Sequence, residues 1–211
     1  MLKDLNYLAI EGPIGAGKTS LALKIGKRLS GKVLLEEVDK NPFLGNFYKE
    51  IDKVAFPTQI FFLLNRYRQQ QELLQKDLFC NLNITDYMFY RDRLFAYMNL
   101  SDEELSLYEE LYGMLTKKLV KPDLIIYLDA STPVLLKRIR KRGRDFERNM
   151  TEEYLEASKT SLHYFFFHYD ESPVLLINTD NADFINNEEQ FENLMRKVDS
   201  IKGGKNYYNP S

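Results

Sequence analysis

Cysteine is almost missing: Cys80 is the only one in 211 residues. No intrachain disulfide framework and no thiolate metal cluster can therefore be built, which suits a reducing compartment. Cys80 itself reads as a small buried apolar residue. No apolar run approaches the roughly 18 residues of a membrane helix. Met1 to Leu8 scatters Lys3, Asp4 and Asn6 among its apolar residues and so lacks a signal-peptide core. The expected setting is cytoplasmic, with no membrane partner. Ten glycines and seven prolines are too few for a collagen-like or low-complexity chain. A basic excess is missing too: 29 Lys and Arg against 31 Asp and Glu leave a net charge of -2, so nothing global advertises nucleic acid. Any anion site must be built locally.

What is present is a core. With 44% apolar and 13% aromatic residues, no repeat and no linker, the chain is expected to form one domain over residues 1–211. Five runs rich in Ile, Leu and Val read as strands: Asn6 to Glu11, Lys32 to Glu37, Phe79 to Asp86, Asp123 to Asp129 and Pro173 to Asn178. Most are apolar at consecutive positions, the pattern of strands covered on both faces, and helix-length stretches separate them. That predicts an α/β fold with a parallel sheet. Leu21, Ile25 and Leu29 mark a first helix before Gly31. Ser101 with Glu104 forms a capping box, and Thr132-Pro133 announces a helix through Leu135 and Ile139. Another helix starts near Thr151, and the tail from Gly203 onward is expected to be loosely held.

The strongest motif is Gly12-Pro13-Ile14-Gly15-Ala16-Gly17-Lys18-Thr19, followed by Ser20, between the first strand and the first helix. It satisfies G-x-x-x-x-G-K-[ST], in which small residues let backbone N–H groups converge on phosphate oxygens at a helix N-terminus. Lys18 would reach the β and γ phosphates, and Thr19 could ligate Mg²⁺. ATP with Mg²⁺ is the expected donor, since D-x-x-G and N-K-x-D, the marks of a guanine nucleotide switch, are missing.

Two further groups fit a phosphate site. Seven basic residues lie between Lys137 and Arg148, including Arg142-Gly143-Arg144, on a chain that is otherwise slightly acidic. A hinge-capable glycine between two guanidiniums suits a mobile arginine lid, and an arginine aimed at the transferred phosphoryl group can be worth roughly 10³ to 10⁵ in rate. Glu36, Glu37 and Asp86 end the second and third strands, where ligands of a parallel sheet gather. Glu36 is the candidate for orienting an acceptor hydroxyl and taking its proton late, and it must then face the phosphate loop. Asp86 is the candidate Mg²⁺ holder, and Glu37, facing the other way, the bystander. His163 and His168, among aromatic residues, read as helix packing, and the stretch Phe61 to Leu64 as core or dimer interface.

These motifs, with Leu35-Glu36-Glu37-Val38, Asn41-Pro42-Phe43, Phe47-Tyr48, Gln59, Arg66 and Asp86 to Ala96, resemble the deoxynucleoside kinases. The resemblance covers about residues 6 to 180 in the same order, and bacterial deoxyadenosine and deoxyguanosine kinases look most similar. It implies a P-loop NTPase-type sheet of five parallel strands with helices on both faces. It also implies transfer of phosphate from ATP to the 5′-hydroxyl of a deoxyribonucleoside, in nucleotide salvage; a homodimer is expected separately, from the Phe61 to Leu64 stretch.

Carried over by position, the resemblance makes Glu36 the residue acting on that hydroxyl. Tyr48 and Glu147 would hold the 3′-hydroxyl, and Gln59, Arg66 and Asp92 would read the base. Arg138 would pack on the donor's adenine near residues 178–184, and Arg142 and Arg144 would form the lid. Asp92, an acceptor, implies a base with an exocyclic amine, adenine, guanine or cytosine, and poor use of thymidine. Deoxyadenosine is the preferred substrate by the resemblance, with deoxyguanosine and deoxycytidine as alternatives. The family's acid-Arg-Ser motif is here Asp86-Tyr87-Met88, and Arg91, one turn on, is expected to supply the displaced charge. Rival readings are a thymidylate-type monophosphate kinase and a nucleotide-binding subunit without catalysis.

Overall fold

The computed structural model describes residues 5–74, 81–116 and 119–210. Cys80 and the first residues of the run begun at Phe79 lie outside them. Among the described residues, six parallel strands form one sheet in the order β2-β3-β1-β4-β5-β6. They are β1 (Tyr7–Glu11), β2 (Lys32–Leu34), β3 (Asn83–Thr85), β4 (Leu124–Asp129), β5 (Val174–Asn178) and β6 (Lys205–Tyr208). The five expected strands are present, with trimmed ends. The sixth corrects the expected strand count and the loosely held tail. Lys205–Tyr208 extends the sheet, pairing in parallel from Val174↔Lys205 to Ile177↔Tyr208. Its residues alternate between exposed and half-buried, so no apolar run marks it.

The helices are α1 (Lys18–Leu29), α2 (Leu44–Phe47), α3 (Ile51–Leu74), α4 (Arg91–Asn99), α5 (Asp102–Leu115), α6 (Thr132–Arg142), α7 (Glu152–His168) and α8 (Glu188–Asp199). Strand alternation sorts the core onto two faces. Leu8 and Ile10 of β1 pack with Leu21 and Ile25 of α1, Leu135 and Ile139 of α6, and Leu194 of α8. Tyr7 and Ala9 pack with Ile125 and Tyr127 of β4 and Leu162 and Phe166 of α7. Both bonds of the Ser101–Glu104 capping box form at the start of α5. Ser131, not Thr132, is the N-cap of α6, which moves Pro133 one position inward. At the end of α1 the left-handed residue is Ser30, one before Gly31. Among the described residues no helix is long and apolar enough to cross a membrane.

The chain leaves β1 toward β2 on one side and later builds β4 on the other. The crevice beyond the carboxyl end of β1 is thus the switch point where ligands of an open α/β sheet collect.

Candidate active site

The phosphate loop fills that crevice. Gly12 has φ 145°, and a Cβ there would meet the Leu128 carbonyl oxygen at 2.2 Å, so only glycine lets β1 turn off the sheet at this point. Lys18, the first residue of α1, donates from Nζ to the carbonyls of Gly12 and Pro13, each at 2.9 Å. Burial, and then the positive charge of Arg91, push its pKa down to about 7. Thr19 Oγ1 donates to Asp86 Oδ2 at 2.5 Å, while Asp86 Oδ1 accepts from the Glu36 N–H at 2.7 Å. Burial raises the Asp86 pKa. Ser20 is exposed and borders no part of the cavity described next.

A cavity of about 260 Å³ joins this loop to the β2 end. Lys18 and Thr19 of the loop line it, as do Glu36, Gln59 and Arg66. Glu36 thus shares a cavity with the loop, and Glu37 instead pairs with Lys40 at the surface, 2.7 Å away. Burial works against the Glu36 charge, but Arg66, Arg91 and Lys18 outweigh it and hold the carboxyl below the usual carboxylate range. Gln59 and Arg66 come from one face of α3, and both are buried. Arg66 bridges two acids, Glu36 and Asp92.

Asp92 differs from expectation. It is fully buried behind Arg66 and forms no wall of the cavity. One oxygen is taken by Arg66, and the other accepts from the Tyr108 hydroxyl at 2.5 Å. Its backbone carbonyl accepts from Gln59 Nε2 at 3.0 Å. Burial pushes its pKa up to about 6, with Arg66 and Tyr108 opposing. As placed, Asp92 holds Arg66 and Gln59, which do line the cavity.

Arg142 and Arg144 line the cavity. Arg142 closes a fork on Glu147, with Nη2 at 2.5 Å from Oε1 and Nε at 3.2 Å from Oε2. Arg144 lies 3.5 Å from Asp39 and 3.9 Å from Glu147. Gly143 between them is left-handed, φ 71°, and ends α6. Phe146 packs with Phe47 and Tyr48 of the α2 segment, so Tyr48 and Glu147, far apart in sequence, line one cavity. Arg138 points elsewhere, donating to the Thr179 carbonyl at 2.6 Å and hydroxyl at 3.0 Å. That brings it to the segment after β5 but off the cavity wall.

The family described as deoxynucleoside kinase matches residues 8–202. The chain belongs to the deoxynucleoside kinase family. A deoxyguanosine kinase of Bacillus subtilis is 37% identical over 202 residues, 92% of this chain and 97% of that protein. A deoxyadenosine kinase of Dictyostelium discoideum is 34% identical over 202 residues, 93% of this chain and 80% of its own. The solved deoxyadenosine kinase of M. mycoides with bound dATP superposes with a TM-score of 0.78 at 28% identity, covering 92% of this chain and all of that one.

Two buried charges of this deoxynucleoside kinase escaped the sequence reading in whole or in part. Glu11 ends β1 and is fully buried, and Arg91 opens α4, borders the cavity and pairs with Glu11 at 2.8 Å. Glu11 had the same signal as Glu36 and Asp86, an acid closing an apolar run, and sits directly before the glycine loop. Tyr87, at the position of the family's arginine, is buried with its ring 5.8 Å from the Arg66 guanidinium carbon. His163 stands apart from the site, 3.0 Å from Asp129, and His168 packs on the Tyr164 ring.

Proposed function

We propose that this kinase transfers the γ-phosphoryl group of ATP to the 5′-hydroxyl of a purine 2′-deoxynucleoside, deoxyadenosine or deoxyguanosine. The observation that carries the reading is the shared cavity: Lys18 and Thr19 of the phosphate loop and the Glu36 carboxylate border one space. An ionised Glu36 accepts the hydroxyl hydrogen bond, aims the oxygen and takes its proton late, since a carboxylate is a weak base toward an alcohol. Lys18, Arg142 and Arg144 supply positive charge to the phosphates. Tyr48, whose phenol burial keeps protonated, and Glu147 serve the 3′-hydroxyl. Arg66 and Gln59, set by Asp92, serve the base. The backbone of residues 12–20 holds the triphosphate, and Arg138 with Thr179 borders the donor base.

The oxygens of Thr19 and Asp86, in contact with each other, are hard ligands of the kind Mg²⁺ takes beside waters and phosphates. When bound there, Mg²⁺ would neutralise phosphate charge. Family membership removes the monophosphate-kinase reading, and the intact Lys18, Thr19, Glu36 and Asp86 oppose a silent subunit. The relatives named above act on deoxyguanosine or deoxyadenosine, which supports the purine.

The chain is further proposed to pair as a homodimer. Leu107, Leu111 and Met114 form a stripe on α5, 56%, 41% and 67% exposed. In the Phe61 to Leu64 stretch, Leu63 is core and Leu64 exposed. ADP release with ATP, Mg²⁺ and a panel of four deoxynucleosides tests the activity: the purines should turn over fastest and thymidine slowest. Thymidine as the best acceptor would overturn the assignment.

A further inference from the structure

Glu11 and Arg91 form a closed arrangement under the phosphate loop. Glu11 Oε2 accepts from the Gly12 N–H at 2.9 Å and from Arg91 Nη1 at 2.8 Å, and Oε1 accepts from the Met88 N–H at 2.7 Å. The same Arg91 Nη1 donates to the Gly12 carbonyl at 2.8 Å. Gly12 is thus held at both its N–H and its carbonyl by one acid and one guanidinium. The Phe95 ring, 4.9 Å from the guanidinium carbon, packs against Arg91 as well. The Met88 N–H ties the same carboxylate to the segment after β3, which carries Asp86. Two stretches distant in sequence, the loop and the segment from Asp86 to the start of α4, meet on one buried carboxylate.

A guanidinium bordering a cavity between a lysine and a glutamate would ordinarily swing onto the nearer acid. Here Arg66 already occupies Glu36, and Glu11 occupies Arg91 from behind. Arg91 is therefore fixed relative to Gly12, with its charge at the junction of the donor and acceptor halves. A cation fixed beforehand costs no reorganisation when charge moves onto the oxygens of a transferred phosphoryl group.

We propose that Arg91 is a fixed cation at the point of transfer, and that Glu11 is a positioning residue which acts on the reaction through Arg91. The inference rests on the kinase reading above and adds a residue to it.

The test compares the full chain with Glu11→Gln, Arg91→Met and the double variant, measuring kcat, both KM values and Tm with ATP, Mg²⁺ and the best deoxynucleoside. Each single variant should lower kcat roughly 10²-fold, the scale for removing one preorganised charge-stabilising donor. Both KM values should stay within about threefold, as for an interaction made in the transition state. The double variant should be no slower than Arg91→Met by more than about threefold, because coupled residues do not add. Arg91→Lys should recover part of the rate beside Glu11 and none in the Glu11→Gln background.

A double-variant loss equal to the product of the single losses would overturn the proposal, as would a lower Tm or higher KM for ATP with kcat unchanged. If Glu11→Gln does not fold, Arg91→Met decides, since it leaves Glu11 both backbone donors: unchanged kcat then refutes the inference. A wild-type chain that turns over no deoxynucleoside sinks the kinase reading itself. An active wild type with indifferent variants sinks only this inference.

Discussion

Glu36→Gln keeps the shape of the side chain and removes one charge, so it separates an orienting carboxylate from an inert one. Arg66, Arg91 and Lys18 hold Glu36 ionised at neutral pH in spite of burial, so the variant loses an acceptor that is present, not one that must first titrate. General-base and orienting groups contribute roughly 10² to 10⁴ in rate. We expect a fall in kcat in that range, with the KM for ATP little changed. Stability moves less. Breaking a buried ion pair costs about 3–5 kcal/mol when the remaining charge is left alone, but Arg66 retains Asp92, so the loss should be less than half of that. For a chain of this length each kcal/mol corresponds to about 2–4 °C in Tm.

The pH dependence has a definite sign. The Glu36 pKa is lowered in the folded chain, so its contribution to stability is present above the unfolded carboxylate value, about 4.3, and is lost as pH falls through the folded value. The Tm gap between wild type and variant should therefore be largest at neutral pH and narrow in acid. ADP release and thermal melts at pH 7 and pH 4 give both readings. Turnover of the variant within about threefold of wild type would remove Glu36 from the reaction, and a Tm gap that widened in acid would refute its lowered pKa.

Lys18, with a pKa near 7 in the unliganded chain, is mostly neutral at pH 8, and a triphosphate must draw a proton onto it. Calorimetric titration of ATP in buffers of different ionisation heat should show uptake of close to one proton at pH 8 and less at pH 6, and Lys18→Met should abolish the uptake. Asp86→Asn should raise the Mg²⁺ concentration for half-maximal rate by roughly 10- to 100-fold, the range for losing a group that holds or orients a metal. An unchanged Mg²⁺ titration would exclude Asp86 from that role. Met114→Glu on the exposed stripe of α5 should convert the proposed dimer to a monomer by light scattering, and its Tm should lose the dependence on protein concentration expected of the dimer.

The parts legible in the sequence are those whose signal is local. Strands buried on both faces are apolar at nearly every position, which is why Leu124–Asp129 and Val174–Asn178 stand out, whereas Lys205–Tyr208 at the sheet edge half-buries only Asn206 and Tyr208 and leaves no such mark. The phosphate loop is legible because its geometry is written in consecutive residues, and Gln59 and Arg66 because seven positions are two helical turns. What escaped is pairing. Which acid Arg66 takes depends on Tyr108 from α5, which fills the other oxygen of Asp92 and withdraws that acid from the cavity.

Glu11 makes the same point from the other side. At the end of an apolar strand it could equally be a solvated charge, and its guanidinium partner lies 80 residues later. A buried charge is tolerated only with a partner, so a site rich in acids and arginines has its chemistry decided by which pairs form. Here two of the pairs bury the acid and leave the cation on the cavity wall, Arg91 before Glu11 and Arg66 before Asp92. Glu36 and Glu147 are carboxylates that keep their place on the wall while paired, with Arg66 and Arg142. In the reaction proposed above, an entering nucleoside competes with Arg66 for Glu36, which couples the base side of the cavity to the carboxylate proposed to aim the hydroxyl.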